Sequence, residues 1–233
     1  MSKKIVFTNV PTMLVSEEYF PSPASKYLPE WYKKTNSYYN DKKMPQQITI
    51  KKCIPVFDVL SMGYYILLAR DVFIENGKNG MPPVIHDAEP DFNKYPIIST
   101  HEFEQAPFHP YPKFHNKILK WTNQFSIKTE PGYSCYFTTP PHQDLPFLNF
   151  DGVVDTDRYH SPVNIPFSID PDFEGLIESG TPIIHVVPFK RDSFKMEIGS
   201  EKELNLEKKQ ELRLHSKIFD RYKSMFWIKK EYK

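Results

Sequence analysis

The sequence has little glycine and little cysteine, and proline stops well before its end. Among 233 residues there are 8 glycines and 2 cysteines, against 22 prolines. All the prolines lie between Pro11 and Pro188, and none follows from Phe189 to Lys233. A proline inside a helix removes an amide donor and clashes with the preceding turn, so a long helical bundle is excluded over the first 188 residues. Charge of one sign is also missing. Lys+Arg is 30 and Asp+Glu is 29, a net charge of +1, which is not the basic excess of a nucleic-acid binder. No apolar run approaches the ~18–20 residues of a transmembrane helix. The start, MSKKIVFTNVP, has no A-x-A cleavage site and is expected not to be a signal peptide, which points to the cytoplasm. Cys53 and Cys135 are expected to be free buried thiols, and no CxxC pair offers a structural zinc site.

What is present is β-rich. Residues 1–50 form an irregular arm, with a short helix over about Ala24–Lys33 interrupted by Pro29. Its aromatics (Tyr27, Trp31, Tyr32, Tyr38, Tyr39) are expected to pack as a lid on a larger body. Residues 51–195 form that body. The run QITIKKCIPVFDVLSMGYYILLARDVFIE predicts two or three strands. Residues 76–117 are turn-rich and hold four of the eight histidines, with at most two short strands. From Lys117 to Phe189 short strands recur about every ten residues: around the Pro131–Gly132 turn, through DLPFLNF and DGVV, in SPVNIPFSI, and around Ser179–Gly180. Pro162 and Pro166 suggest an edge or a bulge in SPVNIPFSI. From 201 to 231 a single helix is expected, with Leu214, Ile218, Tyr222, Met225 and Phe226 on one stripe docking on the body. The chain is therefore expected to be one mainly β domain, an antiparallel double-sheet barrel closed by a C-terminal helix. Its 35 aromatic residues are expected mostly to fill the core and lid.

Two constellations could carry chemistry. His142-Gln143-Asp144 with His185 has the composition of a 2-His-1-carboxylate set for Fe(II), leaving open positions on the metal. Arg191, followed by Ser193, could then meet the carboxylate of 2-oxoglutarate. The alternative is that His142 is a loop residue and His185 a strand residue with satisfied nitrogens.

The second constellation is Gly152-Val153-Val154-Asp155-Thr156-Asp157-Arg158-Tyr159. The order PGYSCYFTTPP, DGVVDTDRY, FEGLIESGTPIIHVV resembles the dUTPase/dCTP deaminase group of β-clip folds over 130–188. Gly152, Val153, Val154, Asp155 and Asp157 match its G-[VI]-[VI]-D-x-D element; Gly180, Ile183 and Val186 match its late strand, with His185 at a glutamine position. The resemblance implies a double-sheet fold of the β-clip or jelly-roll kind. It also implies that Asp155 activates water beside a Mg2+-bound nucleotide, with Gly152, Arg158, Tyr159 and Gln143 near the ligand. Three departures bear on that activity. Tyr159 lies four residues after Asp155 rather than three, with Arg158 in the tyrosine's place. The group's Arg-Ser-Ser phosphate loop is replaced by Pro-Pro-His-Gln-Asp-Leu at 140–145, and its glycine-rich C-terminal arm is absent. Phosphate cradling needs exposed amides, hydroxyls or guanidinium groups, and few lie near the motif.

The whole chain is also similar to uncharacterised proteins encoded by marine tailed bacteriophages, through LPEWYKK (28–34), KCIPVFD (52–58), PGYSCYF (131–137), DLPF (144–147), GVVDTD (152–157) and GTPI (180–183). This resemblance implies host cytoplasm or the virion as location, and a phage protein, a host protein or a second copy as partner. Three classes are left open: a non-catalytic binding or interaction protein, a nucleotide hydrolase or deaminase relative using Asp155, and an Fe(II)/2-oxoglutarate oxygenase.

Overall fold

The computed structural model describes residues 3–10, 15–41, 44–75, 84–87, 96–110, 117–215 and 221–233. The protein is mainly β, with sixteen described strands and few helices. The strands are β1 Ile5–Asn9, β2 Ser22–Pro23, β3 Tyr38–Asp41, β4 Met44–Ile48, β5 Tyr64–Leu67, β6 Val72–Glu75, β7 Val84–Asp87 and β8 Ile98–Glu102. They continue as β9 Lys117–Trp121, β10 Phe125–Thr129, β11 Tyr133–Thr138, β12 Phe147–Asn149, β13 Gly152–Val154, β14 Ile165–Ile169, β15 Gly175–Ile177 and β16 Pro182–Lys190. The α-helices are α1 Glu30–Lys34, α2 Ile54–Ser61, α3 Glu201–His215 and α4 Arg221–Met225.

Every described strand pair is antiparallel. The largest sheet has five strands in the order β13-β11-β16-β5-β2, and a second has four, β12-β14-β9-β8. Three smaller sheets complete the fold (β15-β6-β7, β1-β10 and β3-β4), and no sheet closes into a barrel among the described residues. Among the described residues no helix is long and apolar enough to cross a membrane.

Period-two patterning sends one face of both large sheets into a common core. Ile66, Leu68, Cys135, Phe137, Ile184 and Val186 from the five-stranded side join Leu119, Trp121, Phe147, Ile165, Phe167 and Ile169 from the four-stranded side in one buried cluster. Trp121 stacks on Phe167 with ring centroids 4.0 Å apart and meets Phe147 edge-on at 5.1 Å. The opposite face of the five-stranded sheet is covered too. Ala24, Tyr19 and Tyr27 of the N-terminal arm pack on Tyr65 and Leu67. The lid expected from the arm's aromatics is in place at Tyr27 and Tyr32, the latter buried. The arm's helix splits at Pro29 into a single 3-10 turn, Ala24–Tyr27, and α1.

Three expectations need correction. The run Ile54–Ser61 is a helix, not a strand. Pro55 stands in its first turn, where the missing N–H costs nothing and the fixed φ favours a helix. Pro166 is not on an edge, because β14 lies between β12 and β9. Its carbonyl accepts from Phe150 N–H at 2.8 Å, so its missing donor points past the end of β12, where no ladder bond is lost. The helix expected over 201–231 also stops early. The amides of Phe226 and Trp227 both bond to the Tyr222 carbonyl, and 227–233 run without helix. This tail docks on the body. Trp227 Nε1 donates to both Asp58 oxygens at 3.0 and 3.1 Å, Lys230 pairs with Asp58 at 2.6 Å, and Tyr232 sits edge-on to Tyr64. Every described side chain from Ser193 to Leu212 is exposed; of the expected stripe, Tyr222, Met225 and Phe226 are exposed too, and Ile218 and the Leu214 side chain lie outside the described residues. Cys53 and Cys135 are both free thiols.

Candidate functional site

The Asp155 motif is a turn that joins three strands. β13 delivers Gly152–Val154 against β11, and the backbone then folds, with the amides of Arg158 and Tyr159 both donating to the Asp155 carbonyl at 2.9 Å. On the other side of β11, β16 ends at Lys190 opposite Tyr133. Arg191 therefore emerges beside the turn, and its own amide donates to the Gly132 carbonyl at 2.9 Å. Gly132, at φ 84°, turns the chain into β11 after Pro131.

The side chains form a closed polar knot. Arg191 donates through Nη1 and Nη2 to the two oxygens of Asp157, at 2.7 and 2.5 Å, the bidentate fork that suits a carboxylate. Asp157 Oδ2 also accepts the Gly132 amide at 2.8 Å. Asp155 Oδ1 accepts from Ser134 Oγ at 2.6 Å and lies 3.1 Å from Arg191 Nη1. Beneath it, Thr156 Oγ1 meets Thr129 Oγ1 at 2.8 Å and donates to Cys135 Sγ at 3.3 Å. The Arg191 and Gly132 hydrogen bonds hold the Asp157 carboxyl well below the usual range. Ser134, with Arg191 behind it, lowers Asp155 as well.

The chemical consequence is that Asp155 is an ionised, weakly basic carboxylate. One oxygen is committed to Ser134 and Arg191, and the side chain is 54% exposed. A general base works best with a pKa near the operating pH, in a site that excludes water. This carboxylate has neither property. Arg191, a candidate for 2-oxoglutarate, and Asp155, a candidate for nucleotide attack, are brought together, and the one charge of Arg191 is shared between Asp157, which takes its fork, and Asp155.

The stability of the knot should show in acid. Asp157 is depressed when folded, so it contributes stability above the unfolded value of about 3.9 and loses it as pH falls through and below that value. Asp157→Asn should therefore be less stable than wild type at pH 7, and the gap should begin to narrow as pH falls below about 4, measured by thermal unfolding from neutral to acid pH. A constant gap would mean that the carboxylate carries no such linkage.

The remaining site residues fall in different places. Gly152 lies in β13 opposite Phe137, with nothing within 4 Å of where a Cβ would stand. Arg158 is exposed. Gln143 Nε2 donates to the Tyr27 carbonyl at 2.7 Å, tying the 140–145 loop to the N-terminal arm. Tyr159 lines an open pocket of about 470 Å3 with His101, Lys120, Val154, Pro162 and Asn164. Burial, then the Lys120 ammonium, hold His101 below the ordinary imidazole value. The sequence reading missed His101, Lys120 and Asn164. The pairing of β8 with β9 brings the first two to one sheet face, and no local spacing announces it.

The proposed iron set does not converge. His142 is exposed in a left-handed conformation, φ 56°, its carbonyl accepting from Trp31 Nε1 at 2.8 Å, and Asp144 is exposed. His185 is buried at 1% exposure within β16. Its Nε2 lies 2.7 Å from the Met62 carbonyl. A carbonyl only accepts, so Nε2 carries the proton and cannot ligate. Burial also lowers the His185 pKa, keeping it neutral. Among the described residues no three His, Cys, Asp or Glu side chains group to hold a metal ion.

No protein-family model matches the chain, and comparison with curated proteins finds no match.

Proposed function

We propose that this chain is a binding or interaction protein built on a single-domain β scaffold, without pyrophosphohydrolase or oxygenase activity. One observation carries the reading: β16 is followed by a segment outside any helix or strand whose apolar side chains Phe194, Met196 and Ile198 are 92, 88 and 92% exposed. Alternating apolar residues left in water mark a surface that another molecule covers. The weakly basic Asp155, tied to Ser134 and Arg191, and the dispersed His142, Asp144 and His185 accord with it. The scaffold is best read as a double-sheet body of the β-clip or jelly-roll kind, supported by the core that the two large sheets share. The similarity to marine phage proteins makes infected-host cytoplasm or the virion the proposed location, and a phage or host protein or a second copy the proposed partner.

A second reading has one observation in its favour. Tyr159, Lys120 and His101 together offer a ring and a cation to an aromatic anion such as a nucleotide, bound without hydrolysis. The deciding experiment incubates the purified chain with dUTP or dCTP and Mg2+, and separately with 2-oxoglutarate and Fe(II). No pyrophosphate, ammonia or succinate should form. Nucleotide turnover that disappears in Asp155→Asn would overturn the interaction reading. A thermal shift with dUTP that Tyr159→Ala removes, without turnover, would establish the second.

A further inference from the structure

The exposed segment has a pattern that selects its own partner. Residues 192–200 run from the end of β16 to α3 outside any helix or strand. Phe194, Met196 and Ile198 alternate with Lys195 and Glu197, a pattern that as a strand has one apolar and one charged face. Lys195 and Glu197 lie together on that second face, 3.0 Å apart and 86 and 74% exposed. Among the described residues the backbone of 193–199 has no hydrogen-bond partner in any sheet. Both ends are set: Arg191 is pinned to Gly132, and Ser200 caps α3, its amide donating to Glu203 at 2.9 Å in a capping box. A strand of this kind is an open edge on both sides.

We infer that residues 193–199 are a dimerisation strand that pairs antiparallel with the same segment of a second copy, on a twofold axis through Met196. The inference rests on the interaction reading above and names its partner. Charge decides the register. With Met196 at the axis, Lys195 faces Glu197 and Phe194 faces Ile198, each pair occurring twice by symmetry. Opposite charges and aromatic–β-branched pairs directly across a ladder both stabilise it. An antiparallel pairing centred on Lys195 or Glu197 sets like charges against each other, as does an in-register parallel pairing. A twofold contact must be self-complementary, and the register centred on Met196 sets both charges and both flanking apolar side chains directly opposite their complements. The apolar faces of the two strands then form one continuous patch that covers or receives further surface.

The test uses the full chain. Sedimentation and light scattering over a concentration series should give a dimer. Lys195→Glu and Glu197→Lys should each weaken it by about tenfold or more. The exchange of both in one chain should restore it, and mixing the two single variants should give a heterodimer. In a Cys53→Ser background, Met196→Cys should cross-link to a dimer on oxidation, because residue 196 opposes itself within disulfide reach. Lys195→Cys, opposite Glu197, should cross-link poorly. A monomer at every concentration overturns the self-pairing, as does a dimer indifferent to the single charge reversals. Neither result touches the interaction reading, which fails instead if Asp155-dependent turnover is found.

Discussion

Asn149→Asp should lower the melting temperature by about 10 °C or more at pH 7. Asn149 is 1% exposed at the end of β12 and uses its whole amide across the two large sheets. Its Nδ2 donates to the Ile183 carbonyl at 2.8 Å and the Thr138 carbonyl at 3.2 Å, and its Oδ1 accepts from Trp121 Nε1 at 3.0 Å. An aspartate of the same shape keeps the acceptor but replaces the donor with an oxygen facing two carbonyl oxygens. Breaking a buried polar set so that a charge is left unpaired costs about 3–5 kcal/mol, against a total stability of about 5–15 kcal/mol. The loss should be partly reversed on acidification. Burial raises the folded-state pKa of such a carboxyl, so the folded state holds the proton more tightly and gains stability as pH falls towards 5. Calorimetry of the variant from pH 8 to pH 5 checks both the size and the sign. A variant within a degree or two of wild type would mean that Asn149 does not tie the sheets together.

The strands from Lys117 to Thr138 and from Ile165 to Lys190 were legible because local chemistry states them: alternation, β-branched residues and the Pro131–Gly132 turn. The helix Ile54–Ser61 was not, because apolar residues in a short continuous run fit a strand or a buried helix equally. Pro55 can end a strand, but it is also a good first-turn residue of a helix. The site was legible in its parts only. Asp155 and Arg191 were both singled out, but for two different chemistries. Nothing in a separation of 36 residues announces that β11, lying between β13 and β16, brings them to 3.1 Å. His185 was equally opaque. Its spacing from His142 suits a ligand pair, and only the tertiary contact with Met62 shows that its Nε2 proton is already committed. The alternation from Phe194 to Ile198 is visible as a strand pattern. Its meaning depends on a fact of the fold, that among the described residues no sheet of the same chain receives it.

Gly63→Ala should be the more damaging of two similar-looking glycine substitutions. Gly63 lies two residues beyond α2, just before β5, at φ 70°, a region that costs other residues about 1–2 kcal/mol. A Cβ there would stand near the Val186 carbonyl oxygen and 3.2 Å from His185 Nε2. The first contact is far inside van der Waals range, and its partner is backbone in the sheet's interior, which cannot turn away. β16 and β5 would have to move apart, at an overpacking cost of about 1–3 kcal/mol. The same shift disturbs the Met62 carbonyl that His185 uses and the Gly63 carbonyl that accepts from Ala24 N–H at 3.1 Å. The expected sum is about 3–5 kcal/mol, a fall in melting temperature of about 10 °C. Gly132→Ala supplies the comparison. At φ 84° it pays the same conformational cost, but nothing lies within 4 Å of its Cβ, so only about 1–2 kcal/mol should be lost. The difference between the two variants measures the contact against Val186 and His185 together with the hydrogen bonds it disturbs. Equal losses would mean that β5 and β16 give way without cost, and that the buried seam beneath the N-terminal arm is softer than its packing implies.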